Sequence, residues 1–157
     1  MDWTLPDRAR KGRGAVSNDV GRFEANERIA VDDGWLIEDE TPKRVSTTLT
    51  AEAARKVITR NNSPDVPFDR SINPYRGCEH GCVYCFARPT HAFLGLSPGL
   101  DFETRLFYKP EAAALLEKEL RSPKYTCGVM AMGTNTDPYQ PIERELKLTR
   151  RILKVLA

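Results

Sequence analysis

Three of the four cysteines, Cys78, Cys82 and Cys85, fall within eight residues as C-x3-C-x2-C, and Cys127 stands far downstream. Thiols this close on one loop make a poor staple for a secreted fold and a natural metal loop in a reducing compartment. With no fourth cysteine nearby, three thiolates would leave one iron of a four-iron four-sulfur cubane open, whereas an electron-transfer cluster is normally closed by four cysteines. A zinc site with His80 or His91 as fourth ligand is the main competing reading. The x3 spacing and the lack of a second ligand pair at finger-like distance weigh against it. Unligated core cysteines fit less well still, because Gly77, Glu79, His80 and Gly81 do not form an apolar face. His80 reads as a hydrogen-bonding residue of the loop, and His91 as a packing or capping residue near Pro89.

A second polar run, Gly133-Thr134-Asn135-Thr136-Asp137-Pro138-Tyr139-Gln140-Pro141, follows the most apolar strand candidate, 127–133. Parallel α/β folds place ligand sites at such carboxyl ends. Asp137 can orient an ammonium group, and Asn135 and Thr136 can fix neighbouring atoms by hydrogen bonds. Alone, the run reads as a turn capping a helix from Pro141; beside an open-site cluster loop, the ligand reading gains. An open iron can chelate S-adenosylmethionine through its amino and carboxylate groups, and reduction then breaks a carbon–sulfur bond to give a 5'-deoxyadenosyl radical. The cofactors supply that chemistry, and the protein positions them and excludes water.

The elements that must hold these residues alternate. An extended stretch at 70–73 leads into the cysteine loop and a helix interrupted by Pro89; an extended run at 104–108 precedes a helix over 111–121. The strand at 127–133 precedes an amphipathic helix over 141–157. The expected class is α/β with right-handed crossovers. Residues 1–67 read as a polar, partly disordered extension, with turns at Lys11–Gly14, Asn18-Asp19, Asp32–Gly34 and Thr41-Pro42, and one short helix at 50–61. Residues 68–157 read as the domain proper.

Lys and Arg number 24 against 22 Asp and Glu, so the net charge of +2 creates no general attraction to nucleic acid or an anionic membrane. The basic cluster Arg8, Arg10, Lys11, Arg13 is flanked by acids and lacks interleaved aromatics, and reads as a solvated tail rather than a nucleic-acid arm. No stretch approaches the roughly 18 apolar residues of a membrane span, so a cytoplasmic protein is the expectation.

The run Ser71-Ile72-Asn73-Pro74-Tyr75-Arg76-Gly77-Cys78-Glu79-His80-Gly81-Cys82-Val83-Tyr84-Cys85 resembles the cluster loop of spore photoproduct lyase-like radical S-adenosylmethionine proteins, also catalogued as DNA repair photolyase-like. Leu94–Glu103, Thr136–Glu143 and Lys11–Gly14 extend the likeness to a bacterial subgroup of that family. The resemblance implies Cys78, Cys82 and Cys85 as cluster ligands, and Tyr84 as a lid over the cluster or a neighbour of the adenine. It sets Thr136 and Asp137 near the methionyl amino group, although the family's glycine-glycine-glutamate signature is absent. It further implies the N-terminal part of a partial (β/α)6 TIM-like barrel in a longer enzyme, with a flavodoxin or ferredoxin as electron donor. Spore photoproduct lyase has a hydrogen-donating cysteine where this chain offers Thr134 and Asn135, which counts against thymine-dimer reversal. The alternative is a noncatalytic metal- or cluster-binding module; contact with nucleic acid has no support beyond analogy.

Overall fold

β-Branched residues dominate two short runs, 48–50 and 57–59, and both are extended in the computed structural model, which describes residues 9–27, 29, 31 and 44–157. Among these residues, six strands form two three-stranded mixed sheets. The first has the order β1 (Thr48–Ala51), β5 (Arg105–Tyr108), β4 (Tyr75–Arg76); the second has the order β2 (Ile58–Arg60), β3 (Arg70–Ile72), β6 (Ala131–Met132). The helix expected at 50–61 is therefore replaced by strand, loop and strand. Thr and Val lose rotamer freedom in a helix and fit a pleated surface. Pairing partners decide the matter: Thr50 sits opposite Phe107 in a parallel register, and Ile58 opposite Ile72 in an antiparallel one. Residues before 68 thus contribute a strand to each sheet. The turns expected at Asp32–Gly34 and Thr41-Pro42 lie outside the described residues.

The partial barrel is not what this chain forms. A parallel barrel needs successive strands to pair in parallel across crossover helices. Here the two parallel pairs, β1 with β5 and β3 with β6, lie in different sheets and each joins strands that are not successive, Ser71 pairing with Ala131 and Ile72 with Met132 in the second. On the other edge of β3, β2 is antiparallel, closed by a short connection in which Asn61 N donates to Asp69 O at 2.9 Å. In the other sheet β4 runs antiparallel to β5. The architecture is a small mixed α/β fold containing one β–α–β unit.

The helix of that unit, α2 (Ala112–Leu120), follows the sequence pattern. Pro110 precedes it, and Ala112 and Leu116, one turn apart, are its buried residues. They join Val57, Ile72 and Ile152 in the principal core. Ile152 comes from α4 (Leu148–Leu156), which packs on α2. The single helix expected over 141–157 is broken: α3 (Glu143–Leu146) ends at Lys147, whose φ of 51° is left-handed. That conformation costs a non-glycine residue roughly 1 kcal/mol. It is offset by Glu143 Oε1 accepting from Arg150 N at 3.1 Å and by Thr149 Oγ1 donating to Pro138 O at 2.6 Å. The helix interrupted by Pro89 is a 3-10 helix, Arg88–Leu94, with the proline in its first turn, where a missing N–H is harmless. A one-turn helix, α1 (Leu100–Thr104), follows it. No described helix is long and apolar enough to cross a membrane.

Leu116 is fully buried between the strands and α4. Leu116→Ala is expected to destabilise the fold by about 2–5 kcal/mol, read as a lowered urea midpoint with an unchanged slope.

Candidate functional site

Parallel strands release their following segments at one end, so the segment after β3, which runs through Asn73 and β4 into the cysteine loop, and the loop after β6, residues 133–141, emerge side by side. Asn73, at the end of β3, joins them: its Oδ1 accepts from Asn135 N at 2.9 Å and its Nδ2 donates to Thr134 Oγ1 at 3.2 Å. Further out, His80 Nε2 lies 3.4 Å from Asp137 Oδ2. The two polar runs of the sequence are therefore brought together.

The cysteine loop turns on glycines. Gly77 and Gly81 have φ of 77° and 67°, and a Cβ on Gly77 would fall 2.8 Å from Phe102 O. Cys78 is buried, Cys85 half-buried and Cys82 exposed, all as free thiols. Cys78 packs with Ala87 and Phe102, and Cys85 lies against that cluster. Cys78 N donates to Phe102 O at 2.8 Å, and Cys85 N to Cys82 O at 3.2 Å. Tyr84 and Phe86 project outward, 87% and 80% exposed, so Tyr84 covers nothing among the described residues.

Buried polar groups that sequence reasoning missed hold the loop. Arg88 Nε donates to Cys82 O at 2.9 Å, and its Nη1 bonds Pro98 O and Gly99 O at 3.1 and 3.2 Å. Its Nη2 bonds Glu103, whose side chain has no solvent exposure. The same carboxylate accepts from Gly14 N at 2.9 Å and Ala15 N at 2.8 Å. Gln140, 1% exposed, accepts from Glu79 N at 3.0 Å and donates to Gly77 O at 3.2 Å. Arg88 and Glu103 sit in two short elements of mixed polarity, Arg88–Leu94 and Leu100–Thr104, and nothing in the sequence pairs their charges before those elements pack.

The segment around Arg13 is not a solvated tail. Its guanidinium, 7% exposed, bonds Glu103 O at 2.8 Å, Val45 O at 2.9 Å and Thr47 Oγ1 at 2.7 Å, and lies 3.6 Å from Glu79. Thr47 in turn donates to Glu79. A Cβ on Gly14 would lie 1.8 Å from Gly81 O, so backbone presses directly on the cysteine loop. Arg8 lies outside the described residues.

Of the expected S-adenosylmethionine contacts, Asp137 stays partly open, although its Oδ1 accepts from Tyr139 N at 2.7 Å. Asn135 is half-buried. Thr136 is buried and spends its hydroxyl on Tyr75 O at 3.1 Å, which makes it a brace of the loop. His91 is a packing residue, fully buried edge-on to Phe102, with Nε2 3.0 Å from Arg105 O. Its Nδ1 is buried without a partner, so the neutral tautomer carries its proton on Nε2 and burial lowers the pKa.

Among the described residues, no three His, Cys, Asp or Glu side chains converge tightly enough for a single metal ion. A cubane spreads its thiolates more widely than one ion does. The donor set of three free thiols on a glycine-turned loop, one buried, one half-buried and one exposed, fits the cluster in kind and number.

No family model matches the chain, and no solved structure gives a significant match. It is similar to an uncharacterized protein of Mycobacterium tuberculosis, 48% identical over 96 residues, and to one of Mycobacterium bovis at the same identity. An uncharacterized protein of Methanocaldococcus jannaschii is 32% identical over 101 residues. The matches cover 61% and 64% of this chain but only 28% and 35% of the mycobacterial and archaeal relatives, so the chain spans about a third of their length.

Two outcomes follow from this packing. Gly14→Ala is expected to cost roughly 1–3 kcal/mol through overpacking against Gly81, measured by urea unfolding. For His91, the unfolded imidazole takes up its proton near 6.5 while the folded one resists until lower pH. Stability from this group is thus complete above 6.5 and falls as pH drops below it. His91→Gln should flatten that slope in urea midpoints measured across the range; an unchanged slope would count against the assignment.

Proposed function

We propose that Cys78, Cys82 and Cys85 bind a four-iron four-sulfur cluster and that the chain is a radical S-adenosylmethionine enzyme, or part of one, acting on an unidentified substrate. The observation that carries this reading is the C-x3-C-x2-C loop, which offers three thiols and is braced against the 133–141 loop at one end of a parallel strand pair. When bound, the two cofactors supply reductive cleavage of the sulfonium and a carbon-centred radical.

The chain's own residues orient and enclose. Cys78, Cys82 and Cys85 provide thiolates; Arg88 and Gln140 hold the peptide groups around them. Asp137 and Asn135, half-open beside the loop, are suited to an ammonium and a carboxylate, while Thr136 keeps their loop in place through Tyr75 O. Tyr84, exposed next to Cys85, has a free ring face for a purine. An exposed Cys82 suits electron delivery from a flavodoxin or ferredoxin.

Anaerobic reconstitution with iron and sulfide should give a brown chromophore that is lost in Cys78→Ala, Cys82→Ala and Cys85→Ala. Dithionite and S-adenosylmethionine should then yield 5'-deoxyadenosine. Iron bound without that product would favour a noncatalytic cluster module, and retained cluster absorbance in any of the three variants would remove that cysteine from the ligand set.

A further inference from the structure

The three cysteines are not held alike. Around Cys78, three successive backbone groups are bonded from outside the loop: Gly77 O by Gln140 Nε2 at 3.2 Å, Cys78 N by Phe102 O at 2.8 Å, and Glu79 N by Gln140 Oε1 at 3.0 Å. Gln140 therefore spans Cys78, with one amide using its donor on one side and its acceptor on the other. Cys82, by contrast, is exposed, and its carbonyl is held by Arg88 and by Cys85 N, a partner within the loop itself. Gln140 is 1% exposed, so leaving either amide atom unpaired would incur the full desolvation cost of a buried polar group.

We infer that Gln140 is a positioning residue for Cys78: by bonding the peptide groups on both sides, it sets the backbone from which that thiolate reaches the cluster and couples it to the 133–141 loop. This rests on the cluster reading above. Its physical content is that Cys78 is a ligand preorganised by the protein, whereas Cys82 and Cys85 complete the site from more open positions. Gln140 touches no reacting atom; it acts through Gly77 and Glu79. The amide is the right group for this task, because a carboxylate at the same place can accept from Glu79 N but, when ionised, cannot donate to Gly77 O. Asparagine is one methylene shorter and cannot span the same pair.

The test uses the full chain with and without iron. In the metal-free protein, Gln140→Ala is expected to speed amide hydrogen exchange at Glu79 by about tenfold, the factor that corresponds to losing one ordinary hydrogen bond. Gln140→Glu, which keeps the acceptor, should retain slow exchange at Glu79. After anaerobic reconstitution, Gln140→Ala should hold several-fold less iron and sulfide per chain. Gln140→Glu should bind the cluster with a shifted midpoint potential and altered electron paramagnetic resonance of the reduced form, a change that loss of stability alone would not produce. Unchanged exchange at Glu79 in Gln140→Ala, or wild-type potential and spectrum in Gln140→Glu, would overturn the assignment. If the wild-type chain takes up no cluster, the cluster reading fails, and the metal-free exchange still decides whether Gln140 holds the peptides beside Cys78. Should Gln140→Ala not fold, the nearly isosteric Gln140→Met, which loses both amide atoms, carries the exchange readout, and Gln140→Glu carries the potential and spectrum.

Discussion

A carboxylate with no solvent exposure is tolerated only when its charge and its lone pairs are met, and Glu103 meets both conditions through parts of the chain that are far apart in sequence. One oxygen takes Arg88 Nη2 and Ala15 N; the other takes Gly14 N. Arg88 is in turn committed to Cys82 O, Pro98 O and Gly99 O, and its guanidinium lies 5.3 Å from the centre of the Phe102 ring. A single ion pair thus fastens the segment at 13–15, the cysteine loop and the turn before α1. Removing either partner would strand the other charge in the interior, a loss of about 3–5 kcal/mol, so the pair is a condition for the loop's shape rather than an addition to it.

The ion pair alone would fix a shape without fixing its place. Placement comes from the parallel pair β3 and β6, whose shared direction puts the cysteine loop and residues 133–141 together. Asn73 closes the seam between them at the strand ends, Gln140 within the interior and His80 at the rim. Most of these links end on main-chain atoms, which holds the backbone without using a thiol, while the Asp137 carboxylate, engaged by His80 and Tyr139 N, stays partly exposed. Apolar burial has a smaller part here: the cluster of Cys78, Ala87 and Phe102 is slight beside the core built on Ile72, Leu116 and Ile152.

What could be read from the sequence follows the range of the forces involved. α2 was legible because its apolar spacing and flanking prolines are local, and the cysteine loop because its residue types declare themselves. The strands at 48–51 and 58–60 were not, since Ala53, Ala54, Val57 and Ile58 also fit a helical stripe, and only pairing with β5 and β3 decides between the periods. The break at Lys147 was equally hidden, because it depends on Glu143 reaching Arg150 N and on Thr149 reaching Pro138 O. The barrel expectation failed for a related reason: resemblance in a loop does not specify the direction of neighbouring strands, and here a hairpin connection reverses β2. The role of Arg13 was masked by its basic neighbours.

The same contrast between local and distant forces bears on how the three cysteines would meet the proposed cluster. A loop rigid at every ligand must match its metal without adjustment, and one loose at every ligand loses conformational entropy when it closes. Cys78 is fixed through distant partners within the chain itself, Phe102 and Gln140. Cys82 and Cys85 share a local turn after Gly81, whose left-handed backbone lies so close to Gly14 and Glu103 that a Cβ there would come within 3.0 Å of both. Under the proposed cluster reading, the fixed base would confine the ordering cost to the outer half of the loop, where Gly14 packs closely on Gly81. On this account the N-terminal segment belongs to the site mechanically, because the backbone that carries Cys82 keeps its path only while Gly14 and the buried carboxylate hold Gly81 from the other side.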